Sequence, residues 1–221
     1  MKGNVLYREE DGIGVVTVNR PEVHNALNMQ TIRELRELLL RLEAEDALRA
    51  MVLTGSGKKT FLSGGDIKEF QKIRTVEEAR VMIATMKEAT DLLAGFPWPV
   101  IAAITGLAVG GGCETAIACD FRIASETAEM GFRQIKLGIM SGWGGGPRLV
   151  HLVGRSRALR PRSSVLVLNL SSSSMTSKGM MTSLSAKRKI ALGLCNRTLV
   201  STTKYLLCPS SCVEPDVFAS E

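Results

Sequence analysis

The amino-acid sequence predicts an α/β fold, and three features carry that reading. Two apolar runs of strand length, Ala50 to Leu53 and Val100 to Ile104, lie upstream of glycine-rich turns. An all-apolar strand is what a sheet covered on both faces requires. Two longer segments, Asn28 to Ala47 and Thr75 to Leu93, repeat apolar residues at helical spacing. The triplet Gly110-Gly111-Gly112 then opens a further apolar helix, from about Gly112 to Cys119.

In chain order, Val5 to Arg8 and Ile13 to Val18 read as two strands joined by the acidic turn Glu9-Glu10-Asp11-Gly12. Pro21 ends the second strand, because it removes a donor and restricts the residue before it. In the first helix Ile32, Leu35, Leu38, Leu39 and Leu42 form one stripe, and Asn28 is suited to the N-cap. Met51 to Thr54 finishes a third strand. The basic loop Gly55-Ser56-Gly57-Lys58-Lys59 after it lacks the glycine, lysine and hydroxyl order of a phosphate loop. Asp66 is better placed to cap the helix beginning near Ile67 than to act as a base. Thr75-Val76-Glu77-Glu78 has the pattern of a capping box, and Met82 and Met86 follow as core or pocket lining. Another helix starts at the glycines Gly144 to Gly146, where Arg148 is read first as half of a surface ion pair.

Composition narrows the function classes. A chain of 221 residues with 45% hydrophobic content can bury a full core as one domain. No apolar run approaches the roughly 20 residues that span a bilayer, and no signal-peptide pattern opens the chain, so the expected location is cytoplasmic and no membrane is expected as partner. The net charge of +6 comes without a basic run interleaved with aromatics, which argues against nucleic acid and suits a phosphate-bearing ligand. Five cysteines without metal-ligand spacing read as free thiols. No metal and no separate cofactor are expected.

The chemistry concentrates where backbone is bare. Glycines 110 to 112 bring N–H groups against a ligand, and the helix that follows aims its free amides and positive dipole end at the same place. Glu114, the only side chain charged at neutral pH between Pro99 and Asp120, lies in that helix's first turn. It is either an ordinary acid matched to the dipole or a reacting group beside an anion hole. A second glycine turn, Ser63-Gly64-Gly65-Asp66, lies upstream, and two such turns are what an oxyanion hole requires.

With both turns in view the sequence resembles the crotonase superfamily, the enoyl-CoA hydratases and isomerases. FLSGGDIKEF at 61–70 looks like the family's first oxyanion turn, and IAAITGLAVGGGCETAIACDFRIA at 101–124 its second. NRPEVHNALN at 19–28 and LGIMSGWGGGPRLVHLVGRSRAL at 137–159 match further stretches in the same order. The resemblance covers about residues 4 to 160, the core domain (1–160), and implies a spiral of stacked strand–strand–helix units. It implies an acyl-CoA thioester as substrate, with coenzyme A as part of that substrate, and a homotrimer or hexamer. Gly65 and Gly111 match the two amide donors. Gly65, Asp66, Ile67 and Lys68 match thioester and pantetheine contacts, Arg20 and the Val23-His24 backbone match the nucleotide end, and His24 itself is read as a solvated loop residue. Glu114 matches the first of two hydratase glutamates.

The second is replaced by Gln134, a carboxamide that can hold a water or a carbonyl but cannot trade a proton near neutral pH. One carboxylate suffices to move a proton between C2 and C4, although dedicated isomerases keep theirs at the Gln134 position. Hydration, isomerisation, decarboxylation of a malonyl-type thioester, and a catalytically impaired binding relative therefore all stay open. The turn around Trp143 resembles the decarboxylase branch. From Pro161 the chain changes character: 161–221 is serine-rich and holds only Gly179 and Gly193 of the 21 glycines. Two readings of this atypical segment stand, a shifted reading frame and a divergent tail ordered by a partner.

Overall fold

The structure is a computed structural model that describes residues 3–45 and 47–159, together with the backbone of 205–209. The chain opens on an antiparallel hairpin, β1 (Val5–Glu10) and β2 (Ile13–Val18). Glu9 and Glu10 pair within the ladder, so only Asp11 and Gly12 turn the chain, at φ of 51° and 74°. This is the two-residue Asp-Gly turn whose twist matches that of the strands, two residues tighter than the sequence reading.

Helix α1 (Met29–Glu43) starts where Asn28 Oδ1 accepts the Thr31 N–H at 2.8 Å. Ile32, Leu35, Leu39 and Leu42 are buried, and they share one core with Met86, Ala89 and Leu93 of helix α3 (Val76–Gly95). The capping box of α3 is present: Thr75 Oγ1 accepts from Glu78 N at 3.1 Å and Glu78 Oε2 from Thr75 N at 3.2 Å. Both helix starts are local devices, which is why spacing alone located them.

Strands β2, β3 (Ala50–Gly55), β5 (Val100–Ile104) and β7 (Phe121–Ser125) run parallel in the large sheet, with β1 at one edge. The backbone of β9 (Tyr205–Pro209) pairs antiparallel with β7 at the other edge. A second, three-stranded parallel sheet holds β4 (Thr60–Leu62), β6 (Leu107–Val109) and β8 (Met130–Gly131). Three of these strands, β3, β5 and β7, each hand on to a short strand of the second sheet and then to a helix. The first turn is β3, β4, then α2 (Ile67–Phe70) and α3. The next is β5, β6 and α4 (Gly111–Ala118). The third is β7, β8, a 3-10 turn (Gln134–Leu137) and α5 (Gly145–Val153), which leads to α6 (Arg155–Ala158). The repeating strand–strand–helix unit is thus present without a fixed sequence period.

Strands β4 and β6 are elements the sequence reading missed. The glycine triplet follows β6 rather than β5, because the chain steps between sheets at Gly106, where a Cβ would overlap the Lys59 carbonyl oxygen. Three residues are too few to show a period. Among the described residues no helix is long and apolar enough to cross a membrane. The expectations placed on 161–221 lie outside the described residues apart from the backbone of β9.

Candidate active site

The first glycine turn is stitched to the loop before α1. Leu27 N donates to Gly64 O at 2.8 Å and Asp66 N donates to Leu27 O at 3.0 Å. A parallel bridge of this kind uses the amides flanking Gly65 and leaves its own N–H on the side away from Leu27. Gly64 takes φ of +101°, a value that side-chain-bearing residues rarely adopt. Asp66 caps α2 by accepting from Glu69 N, and also accepts from Arg20 Nη2 at 3.1 Å. Arg20 Nη1 donates to Ala26 O at 2.6 Å. The guanidinium expected at a nucleotide end thus ties its own loop to the glycine turn. Val23 ends a 3-10 turn beside it, and Ile67 and Lys68 stand exposed on the first turn of α2.

Asn25 makes the same loop rigid, a role that the sequence reading missed. It is fully buried at φ of 53°; its Nδ2 donates to Ser56 O at 2.9 Å and Thr60 O at 2.8 Å, and its Oδ1 accepts from Arg20 N at 3.0 Å. An asparagine tolerates the left-handed conformation while satisfying three backbone groups.

The second glycine turn ends β6. Gly110 N donates to Gly131 O at 2.9 Å, and Gly110 caps α4 at φ of +56°. Gly111 is the first residue of α4, so its N–H has no partner within the helix. A Cβ built on Gly64 would fall 3.0 Å from Gly111 N, which brings the two turns into contact. At Gly112 a Cβ would overlap the Leu62 carbonyl, and at Gly111 it would overlap the indole of Trp143. The absence of side chains therefore lets α4 seat directly on the end of β4.

Glu114, 2% exposed, projects from the first turn of α4 into a ring of donors. Its Oε2 accepts from Ser141 Oγ at 2.6 Å and from the N–H groups of Trp143 and Gly145, each at 2.9 Å. Its Oε1 accepts from Gln134 Nε2 at 2.7 Å. Ser141 Oγ accepts in turn from Gly146 N at 3.1 Å. Trp143 O is held by Thr90 Oγ1 at 2.8 Å and Arg148 Nη1 at 2.9 Å, and Arg148 Nη2 pairs with Asp91 at 2.5 Å. Arg148 thus does more than pair at the surface, since it fixes the loop that grips Glu114. Of these partners only Gln134 was named from sequence as a site residue; the run Ser141-Gly142-Trp143-Gly144-Gly145 was the available signal for the others.

Cys113, in the first turn of α4, and Cys119, its C-cap, are both buried. Burial pushes both thiols up from 9.0 to about 12. The folded state therefore favours the neutral thiol, and this contribution to stability is complete below pH 9 and is lost as pH rises from there toward 12. Thermal melts across that range are expected to show a falling melting temperature, with a shallower fall in Cys119→Ala.

The sequence profile of the enoyl-CoA hydratase/isomerase family matches residues 8–168. The short-chain-enoyl-CoA hydratase of Clostridium acetobutylicum is 42% identical over 157 residues, which are 70% of this chain and 59% of that protein. The crotonyl-CoA hydratase of Syntrophomonas wolfei is 39% identical over 155 residues, with the same coverage of 70% and 59%. The solved enoyl-CoA hydratase of Bacillus anthracis superposes with a TM-score of 0.67 at 36% identity, covering 70% of this chain and 60% of that one. The chain spans about three fifths of the length of these relatives. A profile match over most of the chain and a shared fold at that level of identity make this chain a member of the enoyl-CoA hydratase/isomerase family, within the crotonase superfamily.

Proposed function

We propose that the chain is an enoyl-CoA hydratase-type enzyme that stabilises a thioester enolate between the N–H groups of Gly65 and Gly111 and moves a proton with Glu114. The observation that carries this reading is the position of Glu114: a buried carboxylate in the first turn of the helix that Gly111 opens, against the Gly64-Gly65 turn. The thioester oxygen accepts from both amides, so charge that develops there meets preorganised donors, each worth on the order of 3–4 kcal/mol in the barrier. In isomerisation of a 3-enoyl thioester, Glu114 takes a proton from C2, the electron pair passes to the thioester oxygen as a dienolate, and Glu114 returns the proton at C4. In hydration, oxygen from water joins C3 and a proton joins C2. Main-chain donors and one carboxylate supply this chemistry without a resident cofactor.

Gln134 favours a second reading, decarboxylation of a malonyl-type thioester, since loss of CO2 generates the enolate without a base. A panel of crotonyl-CoA, a 3-enoyl-CoA, methylmalonyl-CoA and ethylmalonyl-CoA separates the readings. Turnover of crotonyl-CoA or the 3-enoyl-CoA is expected. Turnover confined to the malonyl-type pair selects decarboxylation, and binding without turnover across the panel overturns the enzymatic reading.

A further inference from the structure

We infer that Gln134 is a positioning residue whose side-chain amide turns over with the proton on Glu114, making Oε1 of Glu114 the one oxygen that carries the proton. This deepens the proposed reaction and rests on it. The two carboxylate oxygens of Glu114 are not equivalent. Oε2 faces three donors, Ser141 Oγ and the N–H groups of Trp143 and Gly145. Main-chain N–H groups cannot reverse into acceptors. The Ser141 hydroxyl could accept only by turning its own proton away from Glu114, the acceptor it donates to, while its oxygen also accepts from Gly146 N. A proton on Oε2 would therefore meet two N–H groups that cannot accept it, and would cost the Ser141 hydroxyl its acceptor.

Oε1 has a single partner, the Nε2 of Gln134 at 2.7 Å. That partner can change from donor to acceptor without leaving Glu114, because a carboxamide carries both functions and exchanges them by a half-turn of its terminal torsion. With Glu114 ionised, the NH2 end faces Oε1. With Oε1 protonated, the carbonyl end faces it and accepts the new O–H. A carboxylate that shuttles a proton passes through both states in each turnover, and Gln134 can hold it in the same rotamer through both.

A second observation points the same way. In the present orientation the Oε1 of Gln134 is buried without a hydrogen-bond partner, although the residue is only 8% exposed. An unsatisfied buried acceptor is costly, so the amide is not locked into this orientation by a partner on its far side. Beside Gln134 in the chain, Arg133 pairs through Nη2 with Glu129 at 3.7 Å while its Nε is buried without a hydrogen-bond partner, and Lys136 is exposed. On the elements packed against α4, Arg148 and Asp91 pair with each other, and Arg122 donates to the Cys119 carbonyl at 3.0 Å. His151 and the remaining charged residues of α3 are exposed, and β4 and β6 carry none.

The test has two arms. In Glu114→Gln the three donors fix the oxygen of the introduced amide at the Oε2 position, leaving its NH2 toward Gln134. Gln134 must then present its carbonyl. In side-chain amide NMR, with the Gln134 signal assigned by through-bond correlation to its own backbone, the carboxylate-bonded proton of the wild type is expected to move upfield in Glu114→Gln. An unchanged shift overturns the inference. In the kinetic arm, Gln134→Met keeps the packing but cannot turn over. It is expected to lower kcat roughly 10- to 100-fold with KM within about twofold. Wild-type kcat, or a raised KM with kcat unchanged, overturns it. The NMR arm needs no turnover, so an inactive wild type would defeat the proposed function while leaving this inference to be read separately, and it decides alone should Gln134→Met fail to fold.

Discussion

Glu114→Gln is expected to lower kcat on the productive thioester by about 10²- to 10⁴-fold, the usual contribution of a positioned acid–base group. The substitution is close to isosteric. It keeps an oxygen opposite Ser141 Oγ and the Trp143 and Gly145 amides, so the donor ring around Glu114 survives. KM for the acyl-CoA is therefore expected to change little, and the loss to appear in kcat, the signature of an interaction used in the transition state. A fall in binding with unchanged kcat would make Glu114 a structural acid at a helix start instead. A companion change reaches the same carboxylate from outside: a Cβ on Gly145 would overlap the Glu114 side chain and approach within 2.7 Å of Oε2. Gly145→Ala should therefore reduce kcat without removing any reacting group.

The second large effect concerns the seat of α4. A Cβ at Gly112 meets the carbonyl of Leu62, which is backbone of β4 and cannot step aside without moving the first glycine turn. A Cβ at Gly111 meets the ring of Trp143, a side chain. Both substitutions are expected to destabilise, by about 1–3 kcal/mol at Gly111 and by at least as much at Gly112. The two should differ in how they are rescued. Adding Trp143→Ala to Gly111→Ala removes the obstacle and should recover part of the lost stability, whereas the same addition to Gly112→Ala should recover none. Denaturant unfolding of the two single and two double variants measures this directly. Equal rescue at both positions would contradict the packing described for α4.

What sequence could reveal divides along the range of the interactions. The N-caps at Asn28, Asp66 and Thr75 were legible because each is a contact within four residues. The two glycine turns were legible because missing side chains leave a mark in the sequence. The cage around Glu114 was only partly legible: Gln134 has a recognisable side chain, but Trp143 and Gly145 act through main-chain N–H groups that every residue type except proline carries. Asn25 was passed over for a related reason. Its three partners are backbone groups of Arg20, Ser56 and Thr60, brought together only by the fold. Arg20 was read toward a ligand, whereas the fold engages it with Ala26 and Asp66. A surface-seeking guanidinium and an inward-tied one look identical in sequence.

The proposed activity requires the Gly65 and Gly111 amides to converge on one thioester oxygen, with Glu114 beside the carbon that gains or loses a proton. Isotope-edited infrared spectroscopy of an acyl-CoA labelled with 13C at the thioester carbonyl, bound to Glu114→Gln to prevent turnover, tests this directly. Two amide donors predict a carbonyl stretch at clearly lower frequency than in water. A bound ligand whose carbonyl stretch matches or exceeds its value in water would contradict the oxyanion hole and the function built on it.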